Sequence, residues 1–140
     1  MKYSDRSKSN SLIDSEALVD QVIAVFGQGK TLDLGCREGD FVCALTARGI
    51  NAVGVDVFKN FIRNANKRLP SRFYVGLVNE IPFSENNFDI VTCINFLEYV
   101  PEAIIYEVVR EIYRVTRKYL FLNIRTDEDL GGSRISTRKD

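Results

Sequence analysis

The stretch Leu32-Asp33-Leu34-Gly35-Cys36-Arg37-Glu38-Gly39-Asp40-Phe41 gathers residue types able to hold a ligand. Glycines at a strand-to-helix turn let the backbone bend and let a ligand approach more closely than a side chain allows. Such a turn needs glycine whether or not anything binds. Asp56 lies 21 residues beyond Gly35, at the end of the strand-like run Ala52-Val53-Gly54-Val55. A carboxylate there accepts the hydroxyls of an adenosine ribose, or else caps the helix that follows. A dinucleotide site asks for Gly-x-Gly-x-x-Gly, so that a helix N-terminus meets a pyrophosphate. Here the spacing is Gly-x-x-x-Gly, with Asp33 two residues ahead of it. That carboxylate repels a pyrophosphate and favours a cationic ligand, which disfavours a nicotinamide oxidoreductase.

The elements that must position these residues alternate. Residues 1–10 read as flexible, and a helix runs from about Asp14 to Phe26, capped by Asp14 or Ser15 and stopped at Gly27 and Gly29. Thr31 to Leu34 is a strand that breaks at Gly35, and a helix from about Asp40 closes at Gly49. Ala52 to Val55 is the second strand, followed by a helix from Phe58 to Leu69 stopped at Pro70. Phe73 to Val75 and Phe88 to Ile94 are the third and fourth strands, joined by a loop with Pro82, Ser84, Asn86 and Asn87. Pro101 opens a helix reaching about Thr116, and Tyr119 to Ile124 is a fifth strand. Such alternation implies a three-layer α/β/α domain on a parallel five-stranded sheet, with ligands at the carboxyl ends of the strands. The domain spans 1–126, and 127–140 reads as a polar tail.

Nineteen basic and nineteen acidic side chains cancel among 140 residues, so net charge gives no signal for nucleic acid or membrane. Residues 1–10 carry no apolar signal-peptide core. Cys36, Cys43 and Cys93 sit in apolar-patterned segments and read as buried, reduced thiols of a cytoplasmic protein. With no histidine and no Cys-x-x-Cys pair, metal binding is not expected, and the commonest general base is missing.

The segment Asp33-x-Gly35-x-x-x-Gly39 resembles motif I of the class I S-adenosylmethionine-dependent methyltransferases. Val53-Gly54-Val55-Asp56 resembles the acidic strand end that follows it in that family. Glu80-Ile81-Pro82-Phe83, Phe88-Asp89-Ile90-Val91 and Leu97-Glu98-Tyr99-Val100-Pro101 resemble the next landmarks, in the family's order. The likeness covers roughly Asp14 to Ile124 and is nearest to the methyltransferase type 11 group that includes ubiquinone-biosynthesis enzymes. S-adenosylmethionine carries an ammonium and a sulfonium, as the charge of Asp33 asks. The resemblance implies that Asp33 and the backbone from Gly35 through Cys36 to Gly39 hold the methionine part. It gives Asp56 the ribose, Val57 a place against the adenine, and Val78 and Asn79 the adenine edge. Ile94, Asn95 and Phe96, at the end of the fourth strand, would lie near the sulfonium. The acceptor would be a small molecule, and the catalytic residues stay unassigned. A catalytically silent relative serving as a binding or scaffold subunit is the alternative.

There are departures from the family's pattern. Arg37 stands where a second glycine is usual, so a turn that needs positive φ would be strained there; Leu77 replaces a frequent acidic residue, and Tyr99 replaces a common histidine. Glu98 reads as an acid/base group or as a carboxylate serving the helix at Pro101. Tyr106 and Tyr113 suggest substrate stacking, or amphipathic packing at helical spacing. The family's sheet continues with an antiparallel pair of strands that 125–140 gives no sign of. The fifth strand would then be an exposed apolar edge, covered by a second copy, a partner subunit or the chain's own tail. A homodimer is the first expectation.

Overall fold

The computed structural model describes residues 14–124 and 133–139, with the side chains of 133–137 excepted. The reading of residues 1–10 as flexible and the domain boundary at 126 lie outside the described residues. Helix α1 (Ser15–Phe26) opens with Asp14, whose side chain accepts the Glu16 N–H. Strand β1 (Thr31–Leu34) is buried along its whole length, as a central parallel strand must be. There follow α2 (Asp40–Ala47), β2 (Ala52–Asp56), α3 (Lys59–Arg68), β3 (Phe73–Val75) and β4 (Phe88–Ile94). Two short 3-10 turns, Leu97–Tyr99 and Glu102–Ile104, lead into α4 (Ile105–Val115), and β5 (Thr116–Ile124) follows it directly.

With β6 (Ser133–Arg138) at one edge, the strands lie in the order β3-β2-β1-β4-β5-β6, and β1 to β5 are all parallel. The order reverses between β1 and β4, so the crevice for a ligand opens at their carboxyl ends. One face of the sheet packs on α1, α2 and α3 through Leu18, Val22, Val42, Leu45, Ile62 and Ala65. The other packs on α4 through Val108, Ile112 and Val115, joined by Val78 and Ile81 from the segment between β3 and β4. Among the described residues no helix is long and apolar enough to cross a membrane.

Two expectations need correction. The residues read as tail include a strand, β6 (Ser133–Arg138), antiparallel to β5 from Ile124↔Ser133 to Tyr119↔Arg138. The β5 edge is therefore covered by the chain itself, and the bare edge that pointed to a homodimer is gone. The run Ser-Arg-Ile-Ser-Thr-Arg has one apolar residue, so no hydrophobic alternation announces it. Pairing to the backbone of β5 recruits it instead, since an antiparallel neighbour needs no crossover helix. Tyr106 and Tyr113 do not pack either. They are 76% and 60% exposed, with the Lys139 ammonium 4.1 Å from the Tyr113 ring centre.

Candidate functional site at the carboxyl ends of β1, β2 and β4

Asp33 is the third residue of β1 and pairs in register with Thr92 of β4. Its carboxylate is almost buried and accepts the Thr92 hydroxyl at 2.8 Å. A buried charge requires such a partner, and the hydroxyl that provides it is invisible in the local sequence. Burial, with the Asp33 charge adding to it, pushes the nearby Cys93 thiol well above its usual range. That thiol stays neutral.

The chain leaves β1 through Gly35, whose φ is +78°. A Cβ there would meet the ring of Phe96 at 2.3 Å, so glycine is required both for the turn and for the packing of Phe96. The N–H groups of Gly35 and Cys36 both donate to the Val55 carbonyl, at 2.8 and 3.1 Å. Cys36 itself is buried. Arg37 has φ +52°, the left-handed conformation that its place in the turn suggested would be strained. Gly39, at φ +88°, starts α2, and a Cβ on it would strike the Phe73 ring at 2.4 Å. Arg68 of α3 ties down the far side of the loop, donating to the Glu38 carbonyl at 3.0 Å and pairing with Asp40.

Asp56 ends β2 and is 1% exposed. One carboxylate oxygen accepts the Arg37 N–H at 2.9 Å and the other the Phe58 N–H at 3.0 Å. The residue thus binds the glycine loop to Phe58, the residue ahead of α3; it does not cap that helix, whose N-cap is Phe58 with no side-chain capping bond. Val57 beyond it is half-buried.

The segment after β3 completes the ring. The Gly76 N–H donates to the Asp56 carbonyl at 3.1 Å. Val78 is wholly buried with Leu34 and Val55. Asn79 donates to Glu107 at 3.1 Å, and its side-chain oxygen is buried without a partner. An open groove of about 550 Å³ on this segment is lined by Gly76, Leu77, Glu80 and Pro82 among others. On the opposite side β4 ends at Ile94, and Asn95 takes φ +47° while donating its N–H to the Asn123 carbonyl at 2.8 Å. Glu98 sits exposed in the following turn. The site positions expected from sequence therefore converge on one end of the sheet. Sequence reasoning missed Thr92 and Arg68, whose roles depend on partners far along the chain.

The residues fit the cofactor that the family resemblance implies. Carboxylates at Asp33 and Asp56 suit an ammonium and ribose hydroxyls, and the unpaired Asn79 oxygen suits an N–H donor.

Comparison with known proteins agrees. The family described as "Methyltransferase domain" matches residues 32–121, which takes in β2, β3 and β4 whole and most of β1 and β5. The chain belongs to the class I S-adenosylmethionine-dependent methyltransferase family. A ubiquinone biosynthesis O-methyltransferase of Pseudomonas putida is 31% identical, over 71% of this chain and 44% of that protein. An uncharacterized methyltransferase of Synechocystis is 29% identical over 68% of this chain and 45% of its own length. The crystal structure of the PH0226 protein from Pyrococcus horikoshii superposes with a TM-score of 0.71 at 28% identity, covering 78% of this chain and 55% of that one. This methyltransferase domain thus spans under half the length of the curated relatives it matches.

Proposed function

We infer that this chain binds S-adenosylmethionine at the carboxyl ends of β1, β2 and β4 and moves its methyl group to a small-molecule acceptor. The observation that carries the reading is the joined loop: Gly35 to Gly39 leaves β1 beside Asp33 and is hydrogen-bonded to Asp56 through the Arg37 N–H. Bound there, the cofactor supplies an electrophilic methyl on a sulfonium, a good leaving group. Asp33 would face the ammonium, Asp56 the ribose hydroxyls and Asn79 the adenine edge. Asn95, held left-handed at the end of β4, would border the place where the acceptor approaches. The protein's contribution is alignment and exclusion of water, for which no histidine is needed. The acceptor's proton would leave to solvent as the methyl is transferred. Support for a small acceptor comes from the ubiquinone-biosynthesis name of the Pseudomonas relatives.

Calorimetry with S-adenosylhomocysteine and with NADH tests the binding. Micromolar binding of the first alone, about 8 kcal/mol, is the expected result, and binding of NADH alone would overturn the reading. Methyl release from labelled S-adenosylmethionine with a panel of phenols, amines and thiols tests the transfer. Tight binding with no turnover on any acceptor would favour the silent scaffold.

A further inference from the structure

The segment between β3 and β4 has an accounting problem that α4 resolves. Its only backbone pairing of sheet type is an isolated bridge between Leu77 and Glu80. Yet Ile81 is buried, and its polar backbone groups need partners. Within the segment the Ile81 carbonyl accepts the Phe83 N–H at 2.8 Å, and the further partners come from side chains of α4. Glu111 accepts the Ile81 N–H at 2.8 Å. Arg114 donates to the Ile81 carbonyl at 2.9 Å and to the Phe83 carbonyl at 2.8 Å. Two further bonds of 2.8 Å join Arg114 to Glu111 as a fork against a carboxylate. Glu107, one turn earlier on the same helix face, accepts from Asn79.

The geometry is specific to arginine. Pairing with Glu111 fixes the plane of the guanidinium, which aims the remaining N–H groups at two carbonyls of the segment. A lysine keeps the charge and lacks the fork. The pair is charged through neutral pH, because the guanidinium holds the Glu111 carboxyl below its ordinary value.

We propose that Glu111 and Arg114 are positioning residues for the nucleoside end of the ligand: from α4 they hold the Ile81–Phe83 backbone, and so fix where Val78 and Asn79 stand at the adenine edge. This rests on the reading of the site as one for S-adenosylmethionine. Neither residue belongs to the strand-end site itself. Their effect passes through the segment.

The test compares wild type with R114M, R114K and E111Q, using two probes, S-adenosylhomocysteine and 5′-methylthioadenosine. The second lacks the amino-acid end. R114M should lose about tenfold in affinity for both probes by the same factor, the scale of a charge-assisted hydrogen bond. R114K should not restore it. Amide exchange should quicken from Leu77 to Asn86 and stay unchanged from Gly35 to Gly39. Unchanged affinity in R114M overturns the proposal, as does a larger loss for S-adenosylhomocysteine than for methylthioadenosine, which means general loosening. Wild type that binds neither probe overturns the reading of the site, and the proposal with it. If R114M does not fold, E111Q is judged by the same two criteria.

Discussion

Replacing Gly35 with alanine separates two penalties that the structure keeps apart at different glycines. Gly35 and Gly49 both have φ +78°. A Cβ at Gly49 would meet nothing within 4 Å, whereas one at Gly35 would lie 2.3 and 2.5 Å from carbons of the Phe96 ring. Left-handed alanine costs about 1–2 kcal/mol, and that is the whole expected effect of Gly49→Ala. Phe96 is 1% exposed, so its ring has nowhere to swing, and overpacking adds about 1–3 kcal/mol. Gly35→Ala should therefore destabilise by about 2–5 kcal/mol in total. Urea unfolding of both variants, with unchanged slope, measures the difference directly. Adding Phe96→Leu to Gly35→Ala should recover part of the excess, since residues in contact are not additive. Equal losses at Gly35 and Gly49 would refute the argument, because they would show that Phe96 moves aside freely.

Three further outcomes follow from the site. Asp56→Ala should weaken S-adenosylhomocysteine binding and also cost about 2 kcal/mol of stability, because two part-buried N–H groups lose a charged acceptor; chemical denaturation beside calorimetry reads both, and intact stability would contradict the bonds to Arg37 and Phe58. Thr92→Val conserves shape but leaves the buried Asp33 carboxylate without its hydroxyl donor, at about 1–3 kcal/mol, measured in the same denaturation series. Glu111 is held low by Arg114 first, so its contribution to stability is fully present above about pH 4.3 and is lost as the pH falls through its lowered folded value. The thermal midpoint of wild type should therefore drop on acidification more than that of Glu111→Gln, and parallel curves would count against the pair.

Local rules made much of this protein legible before any coordinates. The Asp14 cap, the break at Gly35, and the bounds of β1, β3 and β4 were all readable, because sterics and apolar runs act over a few residues. The glycine loop and Asp56 were readable for the same reason, and the strained φ at Arg37 followed from its place in the turn. Tertiary structure decided the rest. Asp33 meets Thr92 only through the register of β1 against β4, strands separated by three crossovers. Arg114 and Glu111 look like an ordinary i, i+3 pair on a helix, and their grip on Ile81 and Phe83 spans some thirty residues of sequence. The β6 strand was hidden because its partner is a backbone edge, which imposes hydrogen bonding but no hydrophobic period. Tyr106 and Tyr113 share the period of α4 yet stay in solvent, since amphipathic spacing says which residues share a face and not how far the neighbouring layer reaches.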